Sequence, residues 1–360
     1  MKLQYKTLLL IFLLPGIVIA NHDKFNGKYT KEKTVKKEYN VNKNALLEIE
    51  NSYGNVDIIS WDENRTVIEV HIKTNSDDEE KAQRKLNDIT IEFYGSSSRV
   101  SAKTIFKNNK SSWSFWGENN SVNMEINYTI KIPVTNSVNL ENNYGAISLD
   151  KLEGNAKISC DYGQLRVGEL WAEDNTLNFD YTNKSTIAFM KGGKIDANYS
   201  GFTLEKGGKL ALNADYTQSV VQDIEDINYN SDYGKVVIDK AVKVVGVGDY
   251  VTHRIGTITG SLNLDADYGS IKVDRLEGSA KNVTIEADYT GVKLGFTSDY
   301  SFNFDINLSY SSLKGEENVT VTKSHKDNSR RTYEGYHGNN TSGNMVRINS
   351  DYGGVTFFEN

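Results

Sequence analysis

The tripeptide Asp-Tyr-Gly in the stretch ISCDYGQLRV, residues 158–167, returns down the chain in variants whose tyrosine mostly follows Asp or Asn and precedes Gly, Thr or Ser. The tyrosines are Tyr144, Tyr162, Tyr181, Tyr199, Tyr216, Tyr233, Tyr250, Tyr268, Tyr289 and Tyr310, spaced by 17 to 21 residues, and Tyr352 follows after a gap of 42, twice 21. A repeat near 20 residues predicts a solenoid, in which each unit packs on its neighbours.

Parity decides the kind of solenoid. Counting back from each tyrosine by twos meets Cys160 and Ile158, Phe179 and Leu177, Ala197 and Ile195, Ala266 and Leu264. A period of two is the strand signal. After the tyrosine the apolar set moves by one residue, to Leu165 and Val167, Val236 and Ile238, Ile271 and Val273. Gly163, Gly234, Gly269 and Gly353 stand at that shift and are read as the bend. A second corner is expected at Gly154, Gly192-Gly193, Gly207-Gly208, Gly260 and Gly278. The fold class is therefore all-β, a right-handed parallel β-helix with coils of about 17–21 residues. A left-handed hexapeptide helix is the rival, disfavoured by the drift in spacing and by the lack of an apolar mark every sixth residue. Stacked coils put the ten tyrosines in one structural column facing or bordering the core.

The Asp or Asn before each tyrosine has the opposite parity and is expected to bond the backbone at its corner, as in Asx turns. Asp215, Asp232, Asp249 and Asp267 could alternatively form an ion-binding column, since calcium accepts rows of oxygen ligands. Pro133 is the sole proline after the leader and precedes the array, consistent with amides committed to ladders.

The segment before the array begins with IENSYGNVDI at 49–58, which matches LENNYGAISL at 140–149. Tyr53 thus reads as a first coil from which residues 59–137 are inserted. TVIEVHIKT (66–74) alternates as a strand. Ser76 followed by DDEEKAQRKLND reads as an N-capped helix near 77–88, with acids first and bases later. ITIEFYG and SVNMEINYTIKIPV supply two more strands. Residues 21–137 are accordingly an N-terminal, β-rich cap containing one short helix. Residues 138–360 are the β-helix, interrupted by a polar loop near 323–344.

Residues 1–20 have the shape of a signal peptide, with MKLQYK, the apolar run TLLLIFLLPGIVIA, and Val18 and Ala20 before the expected cut. Export to the periplasm, cell surface or extracellular space is expected, with no transmembrane span after cleavage. Removing Lys2 and Lys6 changes the net charge from -7 to -9, which disfavours nucleic acid as a partner. Cys160 is the sole cysteine, so packing rather than disulfides must supply stability.

The leader, the NSYGNVDI opening with Trp61, the short Ser/Asp-capped helix, the DYG series and the LEGNAKIS and LEGSAKNV corners together resemble the bacterial putative-adhesin family, auto-transporter adhesin-head-like exported proteins of unknown function. The resemblance covers residues 41–357. It implies an exported β-solenoid with an adhesive role.

Catalytic signatures are weak. His253 takes a place where other coils put Ile or Val and reads as a neutral, packed imidazole. His325, Asp327, Glu334 and His337 lie in SHKDNSRRTYEGYHG, read as a solvated hairpin rather than a metal site. No cofactor, metal or enzymatic activity is expected. The function expected is an exported binding or adhesin-like scaffold, its partner a protein or glycan at the cell envelope. The alternatives are an envelope protein assembling through its solenoid ends and a polysaccharide-active enzyme. The aromatic stretch KSSWSFWGENN (110–120), with Trp113, Phe115 and Trp116, is read as a contact surface, the alternative being a loop that folds back and covers the first coil.

Overall fold

A computed structural model describes residues 25–107 and 122–360. Among them are 27 strands, joined in one mixed sheet, and one α-helix. Two parallel ladders organise this sheet, one leading into each repeated tyrosine and one leaving it. In the leading ladder Ile49, Leu140, Ile158, Leu177, Ile195 and Leu212 come into register, each one repeat from the next. In the trailing ladder Ile58, Leu149, Val167, Ile187, Leu204, Val221 and Ile238 do the same. These side chains are buried, and each contributes roughly 1.5–3 kcal/mol through removal of apolar surface from water.

Four strands, Ser185–Asn198, Gly201–Asp215, Gln218–Asn230 and Lys235–Asp249, run through both ladders without a break. The second corner expected at Gly192-Gly193 and Gly207-Gly208 is thus absent as a break, although the chain does bend at Gly154, Gly260 and Gly278. The unbroken strands fall in the three intervals of 17 residues and in one of those of 18. Their glycines answer to close approach instead: a Cβ on Gly208 would lie 2.3 Å from the Lys191 carbonyl oxygen of the preceding repeat.

Spatial order departs from sequence order at the far end. The strand Met345–Asp351 lies between Val283–Asp288 and Phe302–Ser309, parallel to both. The free side of Phe302–Ser309 is covered, antiparallel, by the hairpin Thr320–Asp327 and Arg330–His337. This hairpin occupies the polar segment read as a loop, and it carries the chain back so that residues 345–359 can enter one step earlier.

At the other end the first repeat is covered on both ladders. Arg99–Phe106 pairs with Leu46–Ser52, and Asn123–Pro133 pairs with Val56–Trp61. Arg65–Ser76 adds antiparallel to Asn123–Pro133, and Tyr29–Asn40 adds to Arg65–Ser76. The helix Glu79–Asp88 packs Ala82 and Leu86 inward, with acids in its first turn. Its N-cap is Asp78, whose carboxylate accepts the Lys81 amide at 3.0 Å; Ser76 lies at the strand end and accepts the Asp78 amide. The edge strand YTKEKTVKKEYN is rich in lysine, a composition that opposes pairing with another chain.

Among the buried polar pairs of the core is one of tyrosine with histidine. Tyr229 projects its ring inward where the next repeat has Gly246, and a Cβ there would lie 2.1 Å from the ring. The Tyr229 hydroxyl meets Nδ1 of His253 at 2.7 Å, while Nε2 of His253 has no hydrogen-bond partner. Burial pushes the His253 pKa down to about 4 from 6.5, so the imidazole is neutral in the folded protein at neutral pH. Cys160 is buried beside this core, and burial pushes its thiol up to about 12, which leaves it unreactive.

The sign of the linkage follows from the lowered histidine pKa. The unfolded chain takes up the proton near pH 6.5 and the folded protein near pH 4. The contribution to stability is therefore whole above pH 6.5 and declines as pH falls to 4, by on the order of 3 kcal/mol. The double variant Tyr229→Phe/His253→Val, which places at 253 the residue found at Val236 in the neighbouring repeat, should lose that share of the acid sensitivity. Melting temperatures of parent and variant between pH 7 and 4.5 check this; parallel curves would contradict it.

Candidate functional site

Every repeated tyrosine has a left-handed backbone, with φ between 50° and 65° from Tyr53 to Tyr352. Non-glycine residues rarely adopt it, at a cost of about 1–2 kcal/mol. The consequence is geometrical. The residue two before the tyrosine and the residue one after both point inward, leaving the Asp or Asn and the tyrosine itself outside, as at a β-bulge. The parity shift read from the sequence is real, but it is the tyrosine that makes it rather than the following glycine.

The tyrosines accordingly do not face the core. Tyr162, Tyr216 and Tyr289 are 52%, 50% and 51% exposed. Their rings stack nearly parallel on one another in a single file of twelve, from Tyr53 to Tyr310. Centroid separations are 5.3 Å for Tyr53 and Tyr144, 4.8 Å for Tyr199 and Tyr216, and 4.7 Å for Tyr289 and Tyr352. Tyr352 stands between Tyr289 and Tyr310, where its strand inserts. Phe106 closes the Tyr53 end edge-on, whereas the outer face of Tyr310, 65% exposed, is bare. Each inner ring gains two aromatic contacts worth about 0.5–1.5 kcal/mol apiece, besides the burial of half its surface. Together these exceed the backbone cost.

The residues flanking the tyrosine explain the rest of the motif. The amide of each tyrosine donates to the carbonyl preceding the next tyrosine, as in Tyr216 to Asp232 at 2.9 Å and Tyr233 to Asp249 at 3.0 Å. The aspartate side chains reach in the same direction. Oδ1 of Asp215 accepts the Asp232 amide at 3.1 Å, Oδ1 of Asp232 accepts the Asp249 amide at 3.0 Å, and Oδ1 of Asp267 accepts the Asp288 amide at 3.3 Å. They thus bond the next repeat rather than their own corner. Desolvation, followed by the neighbouring carboxylates, raises the pKa values of Asp249 and Asp288. Among the described residues no three His, Cys, Asp or Glu side chains are grouped to hold a metal ion.

The position after the tyrosine is buried or half-buried and lies against the previous repeat. Where it is glycine, a Cβ would collide with that repeat's backbone: 2.0 Å from the Gly145 oxygen at Gly163, and 2.4 Å from the Thr217 oxygen at Gly234. At Thr182 and Thr217 the hydroxyl donates to a carbonyl of that repeat, of Cys160 at 3.1 Å and of Ala197 at 3.0 Å, and at Thr290 it accepts the Gly269 amide at 2.9 Å. Glycine and hydroxyl residues are two answers to one close approach.

Desolvation and then the adjoining tyrosines raise the pKa values of Tyr162, Tyr216 and Tyr268. What the file presents to solvent is a line of ring edges and hydroxyls, roughly 50 Å long at one strand spacing per step. Because inner rings cover one another's faces, a sugar cannot lie flat on any of them.

The remaining candidates separate. His325 is exposed on the outer strand of the terminal hairpin, while Nδ1 of His337 turns to the Tyr300 carbonyl at 2.6 Å, so they do not converge. Trp113, Phe115 and Trp116 lie outside the described residues. No described helix is long and apolar enough to cross a membrane.

No family model and no curated protein matches the sequence. Among solved structures, a putative cell adhesion protein of Clostridium sporogenes is 10% identical, over 92% of this chain and 100% of its own, with a TM-score of 0.20. A putative adhesin of Bacteroides fragilis is 9% identical over 91% and 97%, with a TM-score of 0.26. One from Parabacteroides distasonis is 9% identical over 91% and 97%, with a TM-score of 0.28. The overlap is long in sequence and loose in space.

The left-handed backbone gives a sharp expectation at Tyr216. Replacement by Ala removes two ring contacts and keeps the strain, at a cost of about 2–3 kcal/mol. Replacement by Gly removes the same contacts but releases the strain, and should be milder by about 1 kcal/mol. Denaturant titration of both variants decides; Ala proving the more stable, as in an ordinary strand, would contradict the account.

Proposed function

We propose that the protein is an exported, non-enzymatic binding scaffold of adhesin type. In this reading residues 1–20 are the leader and residues 21–137 the cap. The two ladders of residues 138–360 wind as a right-handed parallel β-helix, and the partner is a protein or glycan at the cell envelope. The observation that carries it is the file of half-exposed tyrosines. A residue with a large apolar ring is held outside, in a strained backbone, once per repeat along the whole array. Strain and exposed aromatic surface both concentrate where proteins meet ligands.

Assembly through open solenoid ends is the weaker reading. Antiparallel strands lie outermost at both ends, beyond the parallel cover of the first repeat and on the leading ladder of the last, and they carry charged side chains such as Lys36, Lys37, Lys323 and Lys326. Such edges discourage strand addition.

The aromatic loop with Trp113, Phe115 and Trp116 is the proposed contact point at the cap end. Replacing residues 111–117 by a short Gly/Ser turn should leave the melting temperature near that of the parent while attachment to cells or to a glycan panel drops. Unchanged attachment would remove the loop from the site. A parent protein that attaches to nothing would overturn the scaffold reading itself.

A further inference from the structure

Four residues past each tyrosine, side chains of the trailing ladder point outward in one column. In the middle repeats this column is neutral, with Thr203, Val220 and Val237. Toward the far end it becomes basic: Arg254, Lys272 and Lys293 are in register on successive strands, then Thr356, then Lys314. Lys272 is paired with Asp274, but Arg254, Lys293 and Lys314 form no ion pair with any described residue. Three uncompensated cations in line are against the grain of a chain whose net charge is -7.

The same side chains line a groove of about 470 Å³. Its floor is left bare by two glycines. A Cβ on Gly291 would meet nothing within 4 Å, and one on Gly354 would meet only the Ser312 oxygen, at 3.9 Å. Unlike the glycines that follow the tyrosines, neither is demanded by packing, and neither has a positive φ. The corresponding place holds Gln218, Lys235, Thr252 and Ser270 in earlier repeats. Hydroxyls of Thr252, Ser270 and Thr356 border the open space.

We propose that this groove binds a linear, carboxylate-bearing polysaccharide, a polyuronide, laid along the column. This rests on the scaffold reading above and names the class of its ligand. Arg254, Lys272 and Lys293 stand one strand step of about 4.8 Å apart and Lys314 two steps beyond Lys293, a spacing that suits a chain with one carboxylate per sugar. The hydroxyls and the backbone exposed at the two glycines suit its polyhydroxyl body. Duplex nucleic acid, with a charge about every 1.7 Å, would meet repulsion from the acidic remainder of the chain. The aromatic ring in its lining, the imidazole of His253, is buried and offers no face on which bases of a single strand could stack.

The test is calorimetric titration of the full mature chain with short oligogalacturonates at low salt. Binding is expected, weakening as salt rises. The triple variant Arg254→Gln/Lys293→Gln/Lys314→Gln should weaken it roughly thirtyfold, at about a factor of three for each exposed charge pair. Gly291→Gln, which changes no charge and fills the floor, should weaken binding as well, with the melting temperature of the parent. Equal binding by both variants and the parent would overturn the proposal. So would equal affinity for the methyl-esterified oligomer, or higher affinity for a sulfated chain or duplex DNA. A parent that attaches to cells or to the glycan panel but ignores oligogalacturonate would overturn this inference while leaving the scaffold reading intact.

Discussion

The left-handed turn of backbone at one tyrosine per repeat is the constraint from which the rest of the architecture follows. It lets a strand that buries alternate residues hand over, without a loop, to a second strand that also buries alternate residues, because two consecutive side chains are sent outward at the junction. Glycine or asparagine would reach this conformation more cheaply. Tyrosine can do so because its ring finds an identical ring one strand spacing away on either side. The conformation and the stack therefore depend on each other: an isolated tyrosine of this kind would be strained with little in return, whereas a file of twelve is self-supporting.

The same junction settles the polar residues around it. An aspartate side chain that accepts the amide of the next repeat adds a hydrogen bond in the direction of the ladder, and a hydroxyl or a bare glycine on the other side fits the closest contact with the previous repeat. Burial and then the neighbouring carboxylates raise the pKa values of Asp249 and Asp288, while the carboxylates of Asp215, Asp232 and Asp267 each accept an amide of the next repeat. Repulsion between partly exposed carboxylates is small beside the hydrogen bonds that it accompanies.

Much of this was legible from residue spacing. The strand parity of Ile158, Leu177, Ile195 and Leu264, the match between residues 49–58 and 140–149, the acidic start of the helix and the packed state of His253 all follow from periodicity and capping rules. Two things did not. Counting by twos through Tyr216 assumes that it is extended, and nothing in a tyrosine announces a positive φ, so the count has the ring facing or bordering the core and gives the bend to the glycine. The interval from Tyr310 to Tyr352 is an arithmetic double of the repeat, which hid that Tyr352 belongs between Tyr289 and Tyr310. The basic column was available to the same parity count, four places after each tyrosine, but it emerges when residues are compared down the column rather than along the chain.

That interleaving changes how the far end of the molecule can be made and unmade. An array laid down in sequence order can grow by adding each repeat to a finished edge, and can fray one repeat at a time from its tip. Here residues 302–314 emerge first and must wait, or be displaced, until residues 345–359 enter between them and the repeat ending at Phe296. The last three repeats thus form one topological unit that closes in a single event across a long sequence separation, a slow kind of step. Once closed, the inserted strand is bonded on both sides. Pulling on it must break two ladders together rather than peel one, so this end acts as a latch on the array.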